Sequence, residues 1–176
     1  MDKPMPDSHF KFMSFGYRFR DLFMPRRNVL AEVGIKSGFS VLDYGCGPGG
    51  YIVAAAELVG KSGKIYALDI QPLAIKSVEK LALKKQLTNV KTILSDCKTG
   101  LPDNSMDVVL FYDTFHSLSD PNKALAELHR VLKPKGILSL SDHHLTEDEI
   151  VSGITGDGLF GLLGRGKITY SFAKEE

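Results

Sequence analysis

Little in this sequence belongs to an extracellular, membrane-spanning or nucleic-acid-gripping protein. Among 176 residues there are two cysteines, Cys46 and Cys97. They lie far apart and outside any CxxC or zinc-ligand spacing, which excludes a disulfide framework and reads as a reduced intracellular chain. No apolar run approaches the ~20 residues that cross a bilayer. Basic and acidic residues nearly cancel, 22 against 21, for a formal net charge of +1. A chain so balanced has no positive field for a phosphate backbone, so nucleic acid is not an expected partner. Internal repeats and low-complexity linkers are lacking too. The expectation is a cytoplasmic protein without membrane insertion, a monomer or a weak homodimer.

What is present is an ordinary globular balance, 43% hydrophobic and 24% charged residues. A chain this long can bury roughly two-thirds of its unfolded surface in one core, without help from disulfide or metal. Residues 1–9 are polar, carry Pro4 and Pro6, and have no apolar core of a signal peptide, so they read as a flexible tail. Residues 10–176 then form a single domain. Its first part, 10–34, begins with a crowd of aromatics from Phe10 to Phe23 and continues into a helix from Pro25 to about Val33, stopped by Gly34. Together these are expected as helices over a pocket.

A regular alternation of strands and helices follows. Ser40 to Tyr44 reads as a strand, and Pro48 to Val59 as a helix with Ile52, Val53, Ala56 and Val59 on one face. Lys64 to Leu68 is a second strand closed by Asp69, and Pro72 opens a helix at the one turn where its missing N–H costs nothing. Val90–Leu94 and Asp107–Tyr112 are the third and fourth strands. The run Val108-Val109-Leu110-Phe111 suits a sheet covered on both faces. Asp120-Pro121 starts a helix that buries Leu125, Leu128, Val131 and Leu132 and ends at Pro134 and Gly136. Gly136–Ser141 is the fifth strand. Thr146 then caps a short helix, and Leu159–Leu163 with Lys167–Phe172 flank Gly164-Arg165-Gly166 as a hairpin. Repeated βα units followed by a hairpin predict an α/β fold, mostly parallel with an antiparallel edge.

The sharpest local feature is Asp43-Tyr44-Gly45-Cys46-Gly47-Pro48-Gly49-Gly50, between a strand and a helix. In open α/β sheets ligands sit beyond the carboxyl ends of the strands. Glycines let a ligand approach the backbone, and bare amides at a helix start favour an anion. Asp69, ending the second strand, suits the two hydroxyls of a ribose; Asp96, after the third, suits the exocyclic amine of adenine. The three strand ends describe a pocket for an adenine nucleoside with an anionic far end. A G-x-G-x-x-G reading with Asp69 downstream also fits a nicotinamide dinucleotide, so an NAD(P)-dependent oxidoreductase is the alternative. Against it, Asp43 sets a negative charge where a diphosphate would go, and the chain offers no separate substrate domain.

These residues carry a family resemblance. Val41 to Gly49 resembles the first motif of class I S-adenosylmethionine-dependent methyltransferases. Leu128-His129-Arg130-Val131-Leu132-Lys133-Pro134-Lys135-Gly136 resembles their helix-to-strand junction, nearest the ubiquinone and menaquinone C-methyltransferase branch, and Leu101 to Asp107 resembles the approach to their fourth strand. The resemblance implies a Rossmann-like three-layer sandwich with a seven-stranded sheet in the order 3-2-1-4-5-7-6. It implies S-adenosyl-L-methionine as cofactor and methyl transfer to a small-molecule acceptor by direct displacement. By the same likeness Gly45 and Gly47, with Cys46 between them, approach the methionine part, and Asp43 meets its amino group. Asp69 holds the ribose with Ile70 beside the adenine, Asp96 and Cys97 border the adenine edge, and the backbone near Tyr112 faces the methionine end. A non-catalytic S-adenosylmethionine-binding protein of the same fold is a further alternative.

Acceptor chemistry is read from residues past the strand ends. His116, His143 and His144 are polar loop residues or, in His116 above all, a general base, since an imidazole titrates near neutral pH. A metal with Asp113 or Asp142 is conceivable, but none is expected. Tyr17 and Arg18, in the aromatic cluster, and His143 are the candidates for touching substrate, though such a cluster more often packs a helix on a sheet edge.

Overall fold

The structure, a computed structural model, describes residues 4–10 and 26–175. The aromatic segment beyond Phe10, with Tyr17 and Arg18, lies outside the described residues. The elements in chain order are α1 (Arg26–Ala31), β1 (Ser40–Tyr44), α2 (Ile52–Val59), β2 (Lys64–Asp69), α3 (Pro72–Lys84), β3 (Val90–Leu94) and β4 (Met106–Tyr112). There follow a 3₁₀ turn (Phe115–Ser117), α4 (Pro121–Val131), β5 (Leu132–Ser141), α5 (Glu147–Thr155), β6 (Phe160–Arg165) and β7 (Tyr170–Lys174). The strands form one sheet in the order β3-β2-β1-β4-β5-β7-β6. All neighbours are parallel except β7, which runs antiparallel to both β5 and β6. The expected strand order is the observed one.

Alternating side chains of the central strands feed two cores. Val41, Val108, Leu110 and Tyr112 face one side with Val29, Leu30, Ile52, Val59 and Val78 of α1–α3. Leu42, Tyr44, Val109 and Phe111 face the other, with Leu125, Leu128, Ile150 and Ile154 of α4 and α5. Because both faces are covered, β1 and β4 are nearly all apolar and buried. Between them the chain changes sides: helices before β3 pack on one face and helices after β4 on the other. That reversal opens a crevice above the tips of β1 and β4.

Three boundaries differ from the sequence expectation by more than two residues. The helix after β1 begins at Ile52 rather than Pro48, because residues 47–51 form turns around the glycines. Strand β5 begins at Leu132, which sequence periodicity placed in the helix. Pro134 forces the residue before it toward an extended conformation, and residues 133–136 bulge between the pairs Met106–Leu132 and Val108–Ile137. The hairpin turns at residues 166–169, not at Gly164-Arg165-Gly166. A distant carboxylate sets it: Glu32 accepts from the N–H groups of Ile168 (3.2 Å) and Thr169 (3.1 Å) and from the Thr169 hydroxyl (2.9 Å). Thr146 does cap α5, and Glu149 completes the box in return. Among the described residues no helix is long and apolar enough to cross a membrane.

Candidate active site

At the crevice lies a cavity of about 910 Å³, within the usual size of small-molecule sites. The Gly-rich loop forms its floor. Gly45 (φ +81°) and Gly47 (φ +51°) sit in the left-handed region. A Cβ on Gly45 would fall 2.2 Å from Thr114 Oγ1, so only glycine lets the β1 and β4 tips close up.

The loop's amides are not bare, contrary to expectation. Gly45 and Cys46 both donate to Leu68 O (2.8 and 2.9 Å), Gly49 donates to Cys46 O (3.0 Å), and Gly47 donates to Asp69 Oδ2 (2.8 Å). Pro48 has no N–H. The stretch Gly45–Gly49 therefore shapes the cavity by its backbone curvature, and a ligand anion needs a donor from outside it. Lys80 and Lys84 line the cavity too, but the cation beside the loop is Arg26 of α1, next to Gly50, which donates to the Tyr51 hydroxyl (2.6 Å) and lies over its ring. Sequence reading missed it, because nothing local to α1 marks a cation that only tertiary packing carries to the loop.

Asp43 is 3% exposed, and its Oδ2 is buried with no hydrogen-bond partner among the described residues. Burial, then the charge of Asp69, push its carboxyl up to about 7 against the pull of Arg26. An unsatisfied carboxylate at that depth is costly, and a cationic donor would relieve it. Asp69 is better provided for. Its Oδ1 accepts from Gln71 N and its Oδ2 from Gly47 N, both at 2.8 Å. Burial raises it, and the N–H groups of Gln71, Gly47 and Ile70 pull the other way. Each oxygen keeps a further lone pair for a ligand hydroxyl.

The remaining expected residues divide. Gly45, Cys46, Gly47, Asp69, Ile70, Asp96 and Tyr112 line the cavity with Asp43. The Tyr112 hydroxyl is committed to Ser139 (2.8 Å), which leaves its ring and backbone to the site. Asp96 is exposed and lies 3.7 Å from Lys123. Cys46 is buried, and burial, Asp43 and Asp69 hold its thiol protonated. Cys97 does not reach this cavity. It is packed in the α4-side core and lines a smaller hollow of about 240 Å³, its thiol 3.5 Å from Lys123 O. Gln71, unremarked in the sequence, is buried at the rim and donates to Met5 O (3.0 Å), tying the described part of the N-terminal segment to the site. Phe10 is buried there too.

The histidines do converge, but not all on the cavity. His116, in the 3₁₀ turn after β4, lines it, and so does His144; His143 does not. His116 Nδ1 lies 2.8 Å from Asp142 Oδ2 and 2.9 Å from Oδ1. His143 Nδ1 is held by Asp113 Oδ1 at 2.6 Å, and Asp113 carries a left-handed φ of +48°. That pairing turns His143 outward, with its side chain 54% exposed, so His144 takes the cavity-facing place expected of it. The three imidazoles lie in a row with tilted planes, ring centres 4.2 Å apart at 46° between His116 and His144 and 4.0 Å apart at 39° between His143 and His144. Among the described residues no three His, Cys, Asp or Glu side chains are grouped to hold a metal.

Residues 35–159 match a family model described as a methyltransferase domain. Demethylmenaquinone methyltransferase of Geobacillus stearothermophilus is 34% identical over 131 residues, 74% of this chain and 56% of that protein. The ubiquinone/menaquinone biosynthesis C-methyltransferase of Marinomonas sp. (strain MWYL1) is 31% identical over 140 residues, 78% of this chain and 56% of that protein. The chain thus spans a little over half the length of these relatives. A crystal structure of a SAM-dependent methyltransferase from Aquifex aeolicus superposes with a TM-score of 0.82 at 32% identity, covering 96% of this chain and 98% of that one.

Proposed function

The chain belongs to the methyltransferase-domain family, and from that premise we propose that it transfers a methyl group from S-adenosyl-L-methionine to a small-molecule acceptor bound in the crevice. The observation that carries this reading is the buried Asp43 oxygen without a partner, next to Asp69, at the sheet's switch point. The methionine ammonium supplies the cationic donor that Asp43 lacks. Asp69 accepts from the ribose hydroxyls, Ile70 lies against the adenine, and Asp96 takes its amine. Arg26 holds the methionine carboxylate in place of the engaged loop amides. A dinucleotide is less well served: its diphosphate would meet a loop whose amides already have partners, with a carboxylate directly behind.

When bound, S-adenosylmethionine supplies an electrophilic methyl group, so the chain's own task is alignment and exclusion of water. Holding two reactants in line can contribute up to about 7–11 kcal/mol. Gly45, packed on Thr114, fixes the spacing between the β1 and β4 tips, and Tyr51, edge-on to Tyr112 at 4.8 Å, closes the floor. Two free, buried thiols and the lack of a membrane-spanning helix among the described residues accord with a cytoplasmic site of action. Calorimetry with S-adenosylmethionine, S-adenosylhomocysteine and NAD tests the reading. Micromolar binding of the two S-adenosyl compounds and none of NAD is expected; the reverse order of affinity would overturn it.

A further inference from the structure

We propose that the free edge of β6 is a docking surface for a second copy of this chain. Two β6 strands meet antiparallel about a two-fold axis, with Leu162 and Leu163 of both copies at its centre, in a weak homodimer. The proposal is independent of the methyl-donor reading above.

Strand β6 ends the sheet, with β7 on one side and, among the described residues, no strand on the other. Its outward N–H and C=O groups are therefore open to another strand. Edges of this kind are usually guarded by charge or proline, and Phe160–Gly164 carries neither. It carries exposed apolar surface instead. Phe160 is the one member of the strand that is buried. Leu163 is 61% exposed and Leu162 45%, and Ile168 of the adjoining turn adds to them. Among the described residues the other large apolar side chains so exposed, Leu83 and Leu94, belong to α3 and β3 at the opposite edge of the sheet. A bulge between the pairs Leu162–Phe172 and Gly164–Ser171 leaves Leu163 without a partner on β7. The strand bends there, which limits a shared ladder to a few bonds on either side of the axis.

Charge along the edge selects a second copy as the occupant. The end nearer the cavity is basic, with Arg165 and Lys167. The far end is acidic. Asp157 precedes the strand, and the Glu175 carboxylate lies over Gly161, where a Cβ would stand. Lys174, next to Glu175, is drawn away to Asn104 Oδ1 (2.8 Å). Asp157 and Lys167 lie five residues either side of Leu162, and Gly161 and Arg165 two either side of Leu163. An antiparallel copy centred there sets Asp157 against the second copy's Lys167 and Glu175 against its Arg165, once at each end of the contact. A parallel copy would set like charges together. Glu147 of the same chain already neutralises Arg165, so the pair that decides the fit is Asp157 with Lys167. Neither makes an ion pair among the described residues. With a formal net charge of +1 the copies do not repel as wholes. Pairing uses up the β6 edge of both, so assembly stops at two. One short strand and its turn from each side is a contact at the small end of specific interfaces, which sets the dissociation constant in the micromolar range.

Sedimentation equilibrium of the whole chain, from micromolar to millimolar concentration, tests this. A monomer–dimer equilibrium in the micromolar range is expected. Amide exchange in residues 160–165 should slow as protein concentration rises, while the rest of the sheet is unaffected. Leu163→Lys places a charge on the axis and should leave the chain monomeric throughout that range. Leu163→Ser serves if the lysine variant melts more than a few degrees below wild type. Lys167→Glu brings like charges together at both ends and should weaken the dimer roughly tenfold at low salt. Adding Asp157→Lys to it should restore the wild-type constant. A wild-type chain that stays monomeric at millimolar concentration, a dimer that survives both Leu163 variants, or a double variant no tighter than Lys167→Glu alone would each overturn the proposal.

Discussion

Replacing Asp43 with asparagine separates the structural cost of the site from its use. In the ligand-free chain Asp43 is buried, and its folded-state carboxyl titrates near 7 instead of 3.8. The folded protein therefore holds a proton there that the unfolded chain has released. Wild-type stability from this group is fully present below about pH 4 and is lost as pH rises through 7. At about 1.4 kcal/mol for each tenfold change in proton binding, the loss is on the order of 4 kcal/mol. Asparagine has nearly the same shape and no charge, so the variant keeps its stability across that window. Expressed as melting temperature, Asp43→Asn is expected to gain on wild type by about 8–16 °C between pH 4 and pH 8, at 2–4 °C per kcal/mol for a chain of this size. Binding moves oppositely. Loss of a charge-assisted bond of about 1.5–3 kcal/mol weakens S-adenosylmethionine roughly 10- to 150-fold. Wild-type affinity itself should rise as pH climbs through 7. Scanning calorimetry of both proteins from pH 4 to 8, with and without S-adenosylhomocysteine, reads all of this. Parallel melting curves for wild type and variant would refute the reasoning, since they would mean that no proton is taken up at Asp43 on folding.

Asp69→Ala should weaken S-adenosyl binding at least tenfold in titration calorimetry while the far-UV spectrum stays native; unchanged affinity would remove the ribose assignment. Gly45→Ala strains a left-handed backbone and drives a methyl into Thr114, so it is expected to destabilise by about 1–3 kcal/mol in urea. Adding Thr114→Ala should recover part of that, whereas no recovery would place the strain elsewhere. Glu32→Ala removes three hydrogen bonds to the β6–β7 turn and should cost about 1–3 kcal/mol, with amide protection lost first in residues 160–174. Uniform loss over the whole sheet would contradict a local role.

The sequence alone determined the parts of this protein that rest on local periodicity and punctuation. Continuous apolar strands, amphipathic helices stopped by glycine, and Asp120-Pro121 and Thr146 as helix starts state their conformation within a few residues, because each depends on backbone sterics and near-neighbour hydrogen bonds. The Gly-rich loop with Asp43, Asp69 and Asp96 at successive strand tips was legible for the same reason: topology fixes where strand tips go. Only the tertiary structure decided matters that depend on groups distant in the chain. It engaged the loop amides through Leu68 and Asp69, and brought Arg26 to the place those amides were expected to fill. It moved the hairpin turn through Glu32, from 136 residues away. It turned Cys97 from the main cavity toward α4, and sorted three alike histidines into one oriented by buried Asp142, one facing the cavity beside it and one turned outward by Asp113. A side chain's direction, burial and partner are set by packing between elements, and a linear pattern carries no record of which elements will meet.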